Sequence, residues 1–220
     1  LEGTKPEDME QAVYELIKRA IRKHKKIIFN GNGYSDAWIE EAKARGLYNL
    51  VSTPDCLPEF ISDKNVKLFT THHIFTREEI FSRYEILLEN YTKTICIEAR
   101  TLSEMLTKDF LPAVSRYAGE VAQQAVSQKT FLPSLSVVSE EELVQTLTAS
   151  YNTITAGITM LQALLEKSDT IDSPLRAAQF CHTEILAEME KMRIAANTAE
   201  SLIPDSLLEY PTYDKLLFAL

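Results

Sequence analysis

The sequence predicts a mainly α-helical protein: an up-down bundle of long antiparallel helices, preceded by a smaller helical region with at most one short extended segment. Three observations predict it. Apolar residues recur three and four apart in stripes many turns long, most clearly from Ile80 to Phe110, Leu143 to Leu165 and Leu175 to Ile203. Capping boxes, a Ser or Thr followed three residues later by Glu, precede the stripes. The links between stripes are short and polar, which makes successive helices antiparallel neighbours at shallow crossing angles.

The elements follow in order. Thr4 and Glu7 form the first capping box and predict a helix carrying Met9, Val13, Leu16, Ile17, Ala20 and Ile21 on one face. Glu7, Asp8 and Glu10 stand at its start and Lys23, Lys25 and Lys26 at its end, matching the macrodipole; the basic run RKHKK is therefore a helix terminus, not a nucleic-acid patch. Ile27, Ile28 and Phe29 read as extended. Asn30, Gly31, Asn32 and Gly33 form a turn in which glycines reach positive φ at little strain, Ser35 or Asp36 caps a helix through Trp38, Ile39 and Ala42, and Gly46 stops it. Thr53 and Pro54 open a short helix over Leu57 to Ile61, and residues 63–74 look irregular.

From the capping box Thr76–Glu79 a helix of eight or more turns follows, bent near Pro112, continuing to Ala125 and ended by Pro133. Ser139 and Glu142 give a third capping box before the stripe Leu143, Leu147, Tyr151, Ile154, Ile158, Leu161, Leu165. Ser173 and Pro174 start the last stripe, and a short helix over Tyr213 to Phe218 folds back on the bundle.

Composition sets bounds. The 220 residues are 45% hydrophobic and 25% charged, enough for a real core in one large or two small domains. No apolar run reaches the roughly 20 residues a membrane helix needs. The start LEGTKPEDME has neither a basic lead nor an apolar signal core, so the expectation is a cytoplasmic chain that does not bind membranes. Cys56, Cys96 and Cys181 are odd in number and widely spaced, which fits buried thiols better than a disulfide framework or zinc ribbon. The net charge of −9 is uneven: residues 1–95 hold 14 basic and 15 acidic groups, residues 96–220 hold 9 and 17. An acidic surface repels phosphate backbones, so no nucleic-acid partner is expected.

The glycine turn is the one place resembling a nucleotide site. A dinucleotide fingerprint needs a third glycine where Asp36 stands, and a Walker loop needs Gly-Lys-Ser/Thr at the helix start. Neither is met, so the turn reads as a helix start. His72 and His73 are adjacent, their side chains diverge, and no acid or Cys sits at ligand spacing. A di-iron bundle needs Glu three residues before His, but Gln179 precedes His182, which reads as a hydrogen-bonded core histidine. Cys181 lies in no nucleophile motif. Met160, Met189 and Met192 read as core filling, Glu140, Glu141 and Glu142 as charges favoured at a helix start, and Glu188 and Glu190 as a solvated face. No catalytic, cofactor-binding or metal-binding residue is assigned.

Four phrases carry a family resemblance: EGTKPEDMEQAVYELI, IIFNGNGYSDAWIEEAKARGL, FTREEIFSRYEILLENYTKTICIEARTL and FLPAVSRY. Together they resemble the C-terminal region of the type III glutamine synthetases, well over residues 2–120 and by helicity beyond. One departure is Cys96 in TICIEA, where the resemblance leads one to expect Asn. The resemblance implies a fragment, also suggested by the missing initiator Met. Residues 1–95 would be the closing helices of a catalytic domain and 96–220 a type III-specific helical extension. The parent implied is a glutamate–ammonia ligase using ATP and Mg or Mn, through a γ-glutamyl phosphate, at sites between subunits of hexameric rings paired as a dodecamer. Its metal-binding and phosphate-binding residues would lie upstream, leaving this segment non-catalytic, with the upstream domain and other copies as its partners. Trp38 and Phe81 would meet that upstream domain and leave an apolar patch in its absence. The alternative is a free-standing helical-bundle adaptor or sensor binding a protein partner.

Overall fold

The computed structural model describes residue 3, residues 5–211 and residues 216–218. The chain divides into two compact units, Leu1–Val51 and Ser52–Leu220. The 95/96 division drawn from the resemblance falls inside a continuous helix of the second unit.

In the first unit a 3-10 turn, Pro6–Asp8, leads into α1 (Met9–His24), and a 3-10 turn over Lys25–Ile27 closes it. Thr4, and with it the first capping box, lies outside the described residues. Ile27 is thus in a turn rather than extended; at Ile28 the backbone opens, with φ −91° and ψ 120°. The next helix, α2 (Asp36–Ala44), starts at Ser35 without a side-chain cap, because the Ser35 hydroxyl donates instead to the Asn32 carbonyl at 2.8 Å. It ends as expected at Gly46, whose φ of +66° lets the Gly46 and Leu47 amides reach back to the Lys43 and Ala42 carbonyls.

The second unit starts with α3 (Thr53–Phe60), capped by Ser52 rather than Thr53: the Ser52 hydroxyl accepts from the Asp55 amide at 3.2 Å. Residues 63–71, expected to be irregular, form α4 (Asp63–Thr71). Its apolar pattern is too short for periodicity to reveal. Tertiary contact supplies what periodicity lacks: Phe69 packs between Phe60 and Phe75, with ring centroids 5.5 and 5.9 Å away. The helix stops at His72, with His73 at a φ of 54° and the Ile74 amide bonded to the Phe69 carbonyl at 2.9 Å.

The long helix α5 (Arg77–Met105) carries the complete capping box, the Thr76 amide donating to Glu79 at 2.8 Å and the Glu79 amide to the Thr76 hydroxyl at 3.2 Å. A π-helical turn, Leu106–Phe110, joins it to α6 (Leu111–Phe131). This widened turn falls where a bend was expected, near Pro112: proline cannot donate to the preceding turn and its ring crowds that turn's carbonyl, and one widened turn relieves both. After 132–137 comes α7 (Val138–Ser168), with Val137 at its N-cap and no side-chain cap. The expected Ser139 capping box is therefore absent, since the helix starts one residue before Ser139. α8 (Pro174–Phe180) is capped by Ser173, and a second π-helical turn, Cys181–Ile185, leads to α9 (Leu186–Glu200).

These rods run up, down and up. Lys129 pairs with Glu141 and Arg100 with Asp169, so α5–α6 is antiparallel to α7; Cys181 lies 3.6 Å from Ser168, and a Cβ on Gly157 would meet Met192, so α8–α9 is antiparallel to α7 as well. One continuous core joins them. It includes Ala99, Phe110 and Val114, then Leu147, Ile154 and Leu161, then Ile185, Met192 and Ala199, all essentially inaccessible. Leu57 of α3, Leu88 of α5 and Ala178 of α8 form a smaller cluster. Ile203, Leu207, Leu208 and Tyr210 fold back onto the main core. The returning segment thus lies earlier than expected: Leu216, Leu217 and Phe218 are exposed, and Tyr213 lies outside the described residues. Among the described residues there is no strand.

Candidate functional site

The first unit has a helix whose apolar face stays largely exposed. Met9, Leu16, Ile17 and Ile21 of α1 recur at helical spacing, yet α1 has no buried residue, and Ile17 and Ile21 are each 51% exposed. Burying such a side chain contributes about 1.5–3 kcal/mol. A stripe of them left in water marks a binding surface. Tyr34, Tyr48 and Val51 are exposed in the same unit, and Ala42 is its buried apolar residue among those described.

What order the turn has comes from an aromatic and a cation. Phe29 packs on Trp38 with centroids 4.5 Å apart, and a Cβ on Gly31 would come within 2.5 Å of the Phe29 ring. Gly31 is therefore needed for close approach; its φ and that of Gly33 are not positive. The Arg45 guanidinium donates to the Lys26 and Ile28 carbonyls at 3.1 and 2.7 Å and pairs with Glu41. A cavity of about 450 Å³ opens beside it, with Lys25 and Glu41 on its wall. Arg45 spends donors on backbone and carboxylate, and Glu41 beside it repels an anion. Sequence reasoning missed Arg45; a cation one residue before a helix-stopping glycine was the available signal.

The other singled-out side chains do not converge. His72 and His73 are exposed at the end of α4. His182 is half-buried in the second π-helical turn, its Nδ1 3.2 Å from the Tyr91 hydroxyl, in keeping with a hydrogen-bonded core histidine. Burial first, then the nearby Cys181, Asp55 and Glu98, push the Tyr91 hydroxyl above its ordinary pKa. Burial likewise pushes the Cys181 thiol up to about 11, which keeps it protonated and unreactive. Cys96 is buried too, but Cys56 is exposed, contrary to the expectation for all three thiols. Met192 is fully buried and Met189 packs against the core, whereas Met160 is exposed on the outer side of α7. Glu190 is solvated, held below its usual pKa by a two-pronged bond from Arg193 at 2.8 and 2.6 Å. Glu188 is not: its side chain is largely covered, because it lies over Gly157, where a Cβ would stand 3.1 Å from its Oε1. Trp38 and Phe81 are half-buried rather than open, Phe81 lying under Arg77 at 5.0 Å.

Among the described residues no three His, Cys, Asp or Glu side chains gather as a metal site. No described helix is long and apolar enough to cross a membrane.

A family model for the glutamine synthetase C-terminal domain matches residues 12–129. The chain belongs to the glutamine synthetase C-terminal domain family. A glutamine synthetase of Butyrivibrio fibrisolvens is 40% identical over 214 residues, 97% of this chain but 31% of that protein. A type-3 glutamine synthetase of Dictyostelium discoideum is 32% identical over 222 residues, 99% of the chain and 30% of the relative, and a glutamine synthetase of Bacteroides fragilis is 22% identical over 213 residues, 95% and 29%. The chain thus spans about three-tenths of the length of these glutamine synthetases, and the match covers α3 to α9 as well as the quoted phrases.

Proposed function

We propose that this chain is the C-terminal structural part of a type III glutamine synthetase, and that it serves packing and oligomer contacts rather than chemistry. The parent enzyme makes glutamine from glutamate, ammonia and ATP in the cytoplasm, as a dodecamer of two hexameric rings. Its metal ion and ATP are held by residues outside these 220. The observation that carries this reading is the exposed apolar stripe of α1 in a chain spanning three-tenths of its relatives' length. An amphipathic helix with no buried residue is stable in water only if something covers it. On this reading the rest of the parent chain is the occupant.

The test is glutamine formation in the parent enzyme carrying Ile17→Asp and Ile21→Asp. Charges in a covered apolar face should reduce activity and soluble assembly severely. The 220 residues alone should form no glutamine. Full activity in the double variant, or turnover by the chain alone, would overturn the reading.

A further inference from the structure

We draw no further inference here: the strongest candidate, the uncharged outer face of α7 where the exposed Ala149, Asn152, Ala156, Thr159 and Ala163 recur three and four apart beside the α6–α7 groove, is a stripe of small residues, and nothing in the structure shows what covers it.

Discussion

The two units of this chain use the same amphipathic pattern to opposite ends. In Ser52–Leu220 the stripes of α5, α7 and α9 face one another and bury Leu147, Ile154, Leu161 and Met192 completely. In Leu1–Val51 an equally regular stripe on α1 buries nothing. The difference teaches that a 3,4 pattern specifies a face to be covered, not the partner that covers it. Where other stripes of the same unit face it, the stripe becomes a core; where none does, its side chains stay exposed.

The largest expected effect contrasts the two stripes. Leu147→Ala in α7 should destabilise the second unit by about 2–5 kcal/mol, whereas Ile17→Ala in α1 should stay within ~0.5 kcal/mol in the chain alone. Urea denaturation of both variants measures this, and comparable losses would break the comparison.

Next comes the capping box at the start of α5. Thr76→Ala should lower stability by about 1 kcal/mol. The loss should depend on pH in a definite direction. Hydrogen bonds from the Thr76 amide and hydroxyl hold the Glu79 carboxyl below its usual pKa. A depressed folded-state pKa contributes stability present above the unfolded value and lost as pH falls through the folded one. The gap between wild type and Thr76→Ala should therefore narrow on acidification through the carboxylate range, as urea midpoints at successive pH values would record.

A smaller effect, of opposite sign, is expected at the end of α4. His73 sits at a φ of 54°, a conformation glycine adopts without its Cβ penalty. His73→Gly should stabilise the second unit by up to ~1 kcal/mol, and an unchanged or lowered midpoint would contradict that account. The smallest signal is Tyr210, whose hydroxyl burial pushes up to about 12, helped by the charges of Glu200 and Asp109. A raised folded-state pKa gives stability present below the ordinary value near 10 and lost as pH rises through about 12. The ultraviolet titration of wild type minus Tyr210→Phe should show one phenol ionising near pH 12.

Much of the architecture was legible because long stripes and paired caps repeat the same instruction. Thr76–Glu79, Pro112 and Gly46 each acted as their chemistry dictates. α4 was not legible, because nine residues are too few for periodicity and its stability comes from the Phe60, Phe69 and Phe75 rings. The π-helical turn at Cys181–Ile185 has no proline to announce it. Met160 and Glu188 exchanged expected roles because rotation about α7 and α9 depends on which neighbour each faces, here Met192 against Gly157. The α1 surface was legible as a stripe; its exposure was visible only in the structure.

Hydrogen exchange tests the contrast most directly. In the 220-residue chain, amides of α7 should exchange only with unfolding of the bundle while those of α1 exchange orders of magnitude faster, and α1 should become protected in the parent enzyme. Equal protection of α1 and α7 in the chain alone would contradict the claim that one stripe is a core and the other a surface awaiting its cover.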